Sequence, residues 1–406
     1  MKQDRKEKGN VPNLRFPQFR GEWEERIFDN ICSITTGNKN TQDKEDDGLY
    51  PFYVRSQNIE RINSYTFWGE AILTAGDGVG VGKIFHYVNG KVGVHQRVYI
   101  LSGFKCSGKF AYYYFASQFH NRVQKMSAKN SVDSVRREMI AQMPISLPMT
   151  EEQQKIAKFL SLLDDRIQTQ SKIIEKLKSL MKGLLCNLFC QEQHVPPLRF
   201  PEFEDKWKIY VISDLLEFFT TNSLSWEQLE YETKNIYNLH YGLIHNGLPT
   251  LIDMDKNKLP NIRQEHIPQV YTLCQDGDVV FADASEDTND IAKAVEIFNC
   301  NGKEVVCGLH TIHGRDKLDI TVKGFKGYAF SSNTFRHQIR RFAQGTKIYS
   351  ISQKNFRESY IGIPSKKEQS KIAHLLQLID FRISVESKLI LNYQRQKEFL
   401  LKQMFI

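Results

Sequence analysis

Residues 152–167 read EQQKIAKFLSLLDDRI, and residues 368–383 read EQSKIAHLLQLIDFRI. Ten of these 16 positions are identical. Upstream of each segment stand a proline, Pro148 or Pro364, and then Thr150 or Ser365, which is followed three residues later by Gln or Glu. This capping-box pattern marks helix starts. The sequence therefore predicts the same long helix at two places in the chain.

Apolar side chains recur along both helices at alternating spacings of four and three residues, a pattern typical of paired helices in a coiled coil. Gln170 and Glu386 each interrupt the stripe. We expect antiparallel pairing with these polar residues near the centre, where they fix the register. Packing of each helix on its own domain alone is the alternative. The predicted pairing residues are Ile156, Leu160, Leu163, Ile167, Gln170, Ile174, Ile372, Leu376, Ile379, Ile383, Glu386 and Ile390.

A second repeated element lies upstream of each helical block. Residues 14–19 read LRFPQF and residues 198–203 read LRFPEF, followed by Trp23 and Trp207 respectively. The segment between opening and helical block is longer in the second copy than in the first. The chain therefore reads as a tandem duplication, in which two variable segments alternate with two constant ones.

Short β-branched and aromatic runs in both variable segments, among them Val92–Leu101 and Lys303–Ile312, predict mixed α/β domains. The predicted fold class is α+β, with two mixed α/β domains separated by two long helices that pair as an antiparallel coiled coil in a pseudo-twofold repeat. The predicted segments are the N-terminal tail with the first opening (1–23), the first variable domain (24–147), the first helical spacer (148–194), the second opening (195–207), the second variable domain (208–363) and the second helical spacer (364–406).

Composition restricts the possible partners and compartments. The 406-residue chain has a formal net charge of +8, which fits a nucleic-acid partner. Its seven cysteines form no CxxC pair, and Cys186, Cys190 and His194 offer only three potential ligands, so we predict no metal site. The charged N-terminus does not resemble a secretory signal and no apolar run is long enough for a membrane span. We therefore expect no membrane association and a cytoplasmic location.

Motifs for catalysis do not fit the sequence. The Pro196–Pro197 pair lacks the preceding Asn or Asp of an adenine-methyltransferase motif. The glycine run at residues 76–83 has Asp77 at the first P-loop glycine position and is followed by Ile84 in place of Ser or Thr. The acidic run at residues 283–290 suits a solvated loop or a cytosine-reading surface better than a nuclease metal site. We therefore predict no catalytic residues.

The two repeated elements resemble the specificity subunits of type I restriction–modification systems. The opening Leu-Arg-Phe-Pro-x-Phe recurs at Leu14 and Leu198, and the block Pro-x-x-x-Glu-Gln-x-Lys-Ile-Ala recurs at Pro148 and Pro364. The resemblance implies that each variable segment is a target-recognition domain that reads one half of an asymmetric bipartite site in double-stranded DNA. It also implies partners: two methyltransferase (modification) subunits, and restriction–translocase subunits when the complex cleaves.

This resemblance further implies a non-catalytic chain. S-adenosylmethionine, ATP and Mg would belong to the partner subunits, and this chain would hold no cofactor. Three alternatives stay open: a coiled-coil adaptor that binds only protein, a recognition subunit of a methylation-only or fused restriction–methylation system, and an enzyme with an unrecognised site.

Candidate DNA contacts follow from residue type and position. Arg, Lys and small donors suit phosphates, whereas Arg, Asn, Gln, His and carboxylates suit base edges. In the first variable domain the candidates are Arg55, Gln57, Asn58, Lys83, His95, Gln96, Arg97, Lys129, Asn130 and Ser131. In the second they are His240, Tyr241, His245, Asn246, His310, Thr311, His313, Gln344, Lys347 and Tyr349.

Overall fold

The computed structural model describes residues 9–127, 134–190, 194–233, 235–288, 290–345 and 347–406. The chain divides into two compact units. Unit 1 contains Met1–Lys172 and Lys388–Ile406, and unit 2 contains Ile173–Ser387. Each unit therefore combines one variable segment with part of each long helix.

Unit 1 is built on one large sheet. Its strands are β1 (Glu24–Ile27), β2 (Ser33–Thr36), β3 (Tyr50–Tyr53), β4 (Ile59–Ile62), β5 (Phe67–Ala75), β6 (Phe85–Val94), β7 (Val98–Ser102) and β8 (Pro144–Leu147). Its helices are α1 (Phe28–Ile31), α2 (Gly108–Ser127), α3 (Arg137–Ala141) and the first part of α4 (Thr150–Asn187). Six strands form the sheet in the order β2-β7-β5-β6-β3-β4, in which only β3 and β6 pair in parallel. Strands β1 and β8 form a separate antiparallel pair.

Unit 2 has more and shorter strands. They are β9 (Lys208–Val211), β10 (Leu216–Phe219), β11 (Leu229–Glu230), β12 (Tyr237–Leu239), β13 (Leu251–Asp253), β14 (Asn261–Ile262), β15 (Val279–Ala282), β16 (Ala284–Ser285), β17 (Ala294–Phe298), β18 (Val305–Cys307), β19 (Thr311–Asp316), β20 (Tyr349–Ser350) and β21 (Tyr360–Ile363). The helices are α5 (Ile212–Leu215), α6 (Tyr241–His245), α7 (Phe325–Ser331), α8 (Asn333–Phe342), α9 (Gln353–Glu358), the last part of α4 and the first part of α10 (Lys366–Met404), whose last part belongs to unit 1.

Each unit contains a sheet with the same strand order, which we call the shared sheet of that unit. The order β10-β19-β15-β17-β13 in unit 2 repeats β2-β7-β5-β6-β3 in unit 1, and β13 pairs with β17 in parallel as β3 does with β6. The antiparallel pair of β21 and β9 likewise repeats that of β8 and β1. Unit 2 has in addition a four-stranded sheet, β11-β14-β12-β18. The longer variable segment thus adds a sheet to a common plan.

Charged residues of the repeated segments make the same contact in each unit. The guanidinium of Arg15 donates two hydrogen bonds of 2.7 Å to the carboxylate of Glu152, and Arg199 donates two of 2.8 Å to Glu368. Both carboxylates are buried. Because a buried charge is costly unless it is paired and hydrogen-bonded, each opening needs its helical block and each block needs its opening.

Two glutamines fix the start of the long helices. The side-chain amide of Gln153 donates to the carbonyl of the proline that precedes its helix at 2.7 Å, and that of Gln369 does so at 2.9 Å. Their side-chain carbonyls accept from the backbone N–H groups of Ser107 and Val322, at 3.0 and 2.8 Å. The same residue therefore ties each helix to its own variable segment.

The two long helices, of 38 and 39 residues, pack together and run antiparallel. In unit 1, Asp164 of α4 pairs with Lys397 of α10 at 2.5 Å, and the guanidinium of Arg166 lies 5.4 Å from the ring centre of Tyr393. In unit 2, the last turns of α4 and the first turns of α10 contribute to one apolar core. This confirms the predicted fold class of two mixed α/β domains with two long packed helices.

Burial along these helices follows the predicted stripe. Ile156, Leu160, Gln170, Ile372, Leu376, Ile379 and Glu386 are buried, and Leu163, Ile167, Ile174, Ile383 and Ile390 are half-buried. The first turns also pack on their own domains, because Ile156 and Leu160 join the core of unit 1. Among the described residues, no helix is both long and apolar enough to cross a membrane.

Candidate nucleic-acid interfaces

In unit 1, several predicted contact residues converge where β5 ends. Asp77, two residues after β5, accepts hydrogen bonds from Arg55 at 2.8 Å and from Arg97 at 2.6 Å. Arg55 follows β3 and Arg97 directly precedes β7, so three strands supply this cluster. Both arginine side chains are exposed. One carboxylate between two guanidinium groups leaves a net positive surface with free donors, which suits a phosphate or a guanine edge.

The charge state of this cluster follows from its contacts. Burial raises the pKa of Asp77, but the hydrogen bonds and charges of Arg55 and Arg97 outweigh it and hold the pKa below its ordinary value. The carboxylate therefore stays ionised at neutral pH and orients both guanidinium groups.

The glycine run at residues 76–83 shapes the loop that carries Asp77. Gly78 has a φ of 77°, in the left-handed region that glycine adopts without strain. A Cβ atom on Gly80 would lie 2.5 Å from the carbonyl oxygen of Arg55, so a side chain there would displace the backbone at Arg55. The glycines thus let the β5–β6 loop approach Arg55 closely.

The other candidates of unit 1 divide by exposure. Gln57, Asn58, Lys83 and Gln96 are exposed. His95 is buried, and its Nδ1 accepts from the backbone N–H of Arg97 at 3.0 Å. Burial lowers the pKa of His95, so this ring acts as a neutral support for the Arg97 backbone. The candidates outside the described residues are Lys129, Asn130 and Ser131.

In unit 2, the equivalent place carries a different pair. Asp283 directly follows β15, which corresponds to β5, and His310 directly precedes β19, which corresponds to β7. The Oδ1 of Asp283 and the Nδ1 of His310 are 3.1 Å apart. His310 has a φ of 53°, a left-handed conformation that is uncommon outside glycine and often marks a functional position.

Aromatic rings extend this site. Tyr241 lies between His240, His245 and His310, with ring centres 4.7, 5.9 and 5.2 Å away. Trp226, which was not among the predicted contacts, lies 4.4 Å from His240 and is 47% exposed. Exposed aromatic faces can stack on or pack against bases. Nothing in the sequence near Trp226 marks it, because its neighbours come from distant segments.

Loop pairing brings other candidates towards Asp283. Strand β20 pairs with β16, which matches Tyr349 with Ser285, and an isolated bridge joins Gln344 to Ser350. Gln344, Lys347 and Asn246, which follows α6, are exposed, and Tyr349 is half-buried.

Three candidates of unit 2 point into the interior. His240 is 2% exposed and caps α6 by accepting from the N–H of Gly242 at 3.1 Å. Thr311 is also buried and donates to a backbone carbonyl. His313 is fully buried and bonds to Asp278 at 2.7 Å. These side chains are buried and hydrogen-bonded to neighbouring groups. They therefore support the surface from beneath and do not face the solvent.

One group within the described part of the chain is arranged as metal ligands could be. Cys274, Cys307 and His313 are all buried, and one potential ligand atom from each lies within 4.8 Å of the other two. This group was not predicted, because its members lie in three separate segments and match no spacing motif. Cys186 and Cys190, which the sequence did bring forward, do not belong to such a group in the described structure.

Residues 20–179 match the family described as the type I restriction modification DNA specificity domain. The chain is also 23% identical over 401 residues to the type I restriction enzyme MjaVIII specificity subunit of Methanocaldococcus jannaschii, a match that covers 92% of this chain and 89% of that protein. This chain belongs to the type I specificity subunits. As a specificity subunit it is a non-catalytic recognition subunit with two recognition domains, and in this family the cofactors belong to the modification and restriction subunits.

Other relatives cover this specificity subunit to different extents. The type I restriction enzyme EcoDI specificity subunit of Escherichia coli is 23% identical over 161 residues, which are 40% of this chain and 35% of that protein. The crystal structure of a type I restriction-modification S subunit from M. genitalium aligns with a TM-score of 0.63 at 16% identity over 98% of this chain and 99% of that one. A structure from work on complex assembly and conformational transition of the type I R-M system aligns at 0.53 and 13% identity over 94% and 97%. These two likenesses establish the fold.

Proposed function

We propose that this specificity subunit reads an asymmetric bipartite site in double-stranded DNA, one half with each variable domain. The observation that carries the proposal is the matched pair of sites at the ends of β5 and β15. They occupy the same place in the shared sheet, yet one presents two arginines and the other presents histidines and aromatic rings. Different side chains read different base edges, so the half-sites should differ.

The proposed recognition domains are residues 24–147 and 208–363, separated by the helical spacers 148–194 and 364–406, with the openings at 1–23 and 195–207. The proposed contacts in the first domain are Arg55, Gln57, Asn58, Lys83, Gln96 and Arg97. In the second they are Tyr241, His245, Asn246, His310, Gln344, Lys347 and Tyr349. For Lys129, Asn130 and Ser131 the proposal rests on sequence alone.

The long helices are proposed to set the gap between the half-sites and to bind two modification subunits, with restriction subunits joining when the complex cleaves. Exposed apolar side chains support this docking. Phe159 and Leu162 on α4 are 38% and 59% exposed, and Leu378 and Phe381 on α10 are 52% and 67% exposed. Contiguous exposed apolar surface is typical of protein interfaces. We place the protein in the cytoplasm, where its DNA lies.

Mapping of methylated adenines tests the proposal. The chain is co-expressed with its modification subunits, and modified positions in the host DNA are read by sequencing. We expect one interrupted motif with dissimilar halves. Inserting one heptad into the middle of α4 and one into α10 adds about 10 Å, or about three base pairs at 3.4 Å each. The gap should lengthen and both halves should stay unchanged.

Glu175→Ala, on the exposed face of α4, is the matched control and should leave motif and gap unaltered. A gap that ignores the insertion would refute the spacing role of the helices. An uninterrupted or symmetric motif would refute recognition by two different heads, and the absence of any specific motif would favour the protein-only adaptor.

A further inference from the structure

The buried cysteines and histidine of unit 2 lie where its two sheets meet. Cys307 ends β18, which belongs to the added four-stranded sheet, and His313 lies in β19 of the shared sheet. Cys274 precedes β15, and its neighbour Leu273 bridges to Val306 of β18. The three residues therefore join the part of unit 2 that repeats unit 1 to the part that does not.

The geometry brings soft donors together in the interior. The sulfur atoms of Cys274 and Cys307 are 3.5 Å apart. The sulfur atoms of a disulfide bond are about 2.0 Å apart. Cys274 and Cys307 are therefore not disulfide-bonded, and both are thiols. The exposed fractions are 4% for Cys274, 2% for Cys307 and 0% for His313. Two thiols and an imidazole are ligands that Zn²⁺ prefers.

One atom of this group has no partner. The Nδ1 of His313 is buried without a hydrogen bond to any described residue. A buried polar atom left unsatisfied costs about 1–3 kcal/mol and calls for an explanation such as a bound ion. A metal ion bound by Nδ1 and by the two cysteine sulfur atoms would use the lone pair of Nδ1 and remove that cost.

The other nitrogen of His313 is held as in known zinc sites. Its Nε2 lies 2.7 Å from Oδ2 of Asp278, which is itself 1% exposed. Asp278 in turn accepts from the guanidinium of Arg315 at 2.8 and 2.7 Å. Histidines that bind metals usually donate their second N–H to a carboxylate, which fixes the ring and increases its basicity.

Access from solvent is also present. An open pocket lined by Cys274, Cys300 and Lys303 borders the group. Cys274 is the member of the group that lines this pocket, so an ion would enter from the side of Cys274, and a water molecule would supply the fourth ligand.

We propose that Cys274, Cys307 and His313 bind one zinc ion that ties the added sheet of unit 2 to the shared sheet. Asp278 is a positioning residue for His313. Unit 1 has no added sheet of this kind in its described residues, and the described part of unit 1 contains no matching group. The proposal concerns the folding of the second head and does not depend on which bases that head reads.

Metal analysis of the full chain tests the proposal. The protein is purified without chelator from cells grown with zinc, and its metal content is measured by mass spectrometry. We expect about one zinc per chain. Cys274→Ser and Cys307→Ser should each reduce the content at least about tenfold. Cys190→Ser is the matched control, since Cys190 is a buried thiol of unit 2 outside this group, and it should keep the zinc.

A second measurement uses the unaltered chain, so it does not depend on whether the variants fold. After chelation, added Co²⁺ should give the thiolate-to-metal absorption and the tetrahedral spectrum of a sulfur–nitrogen site, and zinc should abolish both. Asp278→Asn should weaken zinc binding by about 10- to 100-fold while the stoichiometry at saturating zinc is retained. A zinc-free wild type without a cobalt spectrum, a Cys274–Cys307 disulfide found by mass spectrometry, or equal loss of zinc in Cys190→Ser would each overturn the proposal.

Discussion

Unit 1 and unit 2 each place a carboxylate at the equivalent point of a sheet with the same strand order. Different side chains surround the carboxylate in the two units. Asp77 follows β5 and bonds to Arg97, which directly precedes β7. Asp283 follows β15 and bonds to His310, which directly precedes β19. The strand order therefore decides where the two side chains meet, and the loop sequence decides what they can read. A duplicated fold can diverge in specificity in this way without altering its framework.

The two carboxylates also differ in protonation. The arginines lower the pKa of Asp77 despite its burial, whereas burial raises the pKa of Asp283 even though His310 opposes it. As the pH falls, Asp283 therefore takes up a proton before Asp77 does. Recognition by the second head should be the more acid-sensitive of the two.

The framework itself differs in one hydrogen bond, which gives the largest expected effect. In unit 2, the indole N–H of Trp207 donates to Glu368 at 3.2 Å, in addition to Arg199. In unit 1, the indole N–H of Trp23 has no partner among the described residues, and Arg15 alone holds Glu152 there. The buried carboxylate of unit 1 therefore depends more strongly on its arginine.

Arg15→Ala should lower the free energy of opening of unit 1 by about 3–5 kcal/mol, because it leaves a buried charge unpaired. Arg199→Ala should lower the free energy of opening of unit 2 by about 1.5 kcal/mol less than Arg15→Ala lowers that of unit 1, because the hydrogen bond from Trp207 to Glu368 survives. Hydrogen–deuterium exchange resolved by unit measures both losses. Glu22→Ala, an exposed side chain, should change neither, and equal losses for the two buried pairs would refute the role given to Trp207.

A smaller effect should separate the two heads in DNA recognition. Arg97→Ala should reduce discrimination at one position of one half-site by about 1–3 kcal/mol, and His310→Ala should do so in the other half-site only. Methylation rates on DNA with single-base changes, measured in the assembled complex, give both values. Lys105→Ala, beyond the opposite end of β7, is the control. A loss that is uniform over all sequences would instead mark a phosphate contact or a folding defect.

The helices were predictable from sequence because their signals are local. The capping pattern at Thr150 and the regular apolar spacing beyond it depend on neighbouring residues only, and α4 begins at Thr150 and α10 at Lys366. The repeat also predicted two mixed α/β domains in a pseudo-twofold arrangement. These features need no knowledge of how distant segments pair.

The sites were predictable only in part, because strand pairing assembles them. Arg55 and Arg97 were predicted as contacts, but no local pattern indicated that Asp77 joins them, since the three residues lie beside the ends of three different strands. His313 was predicted among the contacts on the basis of its type, yet β19 is buried along its first four residues. Trp226 and the Cys274–Cys307 pair were missed for the same reason: their neighbours are distant in sequence.

The smallest expected effect lies in a repeated aspartate of the two long helices. Tyr113 donates to Asp164, and Tyr328 donates to its counterpart Asp380, both at 2.7 Å. Asp164 has in addition the ammonium of Lys397. When the two helical blocks are aligned, Met181 of unit 2 stands at the position that corresponds to Lys397. Burial raises the pKa of Asp380, and the hydrogen bond from Tyr328 offsets only part of this shift.

A raised folded-state pKa means that folded Asp380 holds its proton more tightly than the unfolded chain does. Its stabilising contribution is therefore complete below the unfolded pKa and is lost as the pH rises through the folded value. Asp380→Asn should raise the melting temperature of unit 2 at neutral pH, and the gain should vanish in acid. Asp164→Asn should instead cost unit 1 about 0.2–1 kcal/mol, the range for an ion pair near the surface, because both partners are half-buried. Calorimetry across pH measures both, and a stabilising Asp164→Asn or a pH-independent Asp380→Asn would show that Lys397 does not distinguish the two units.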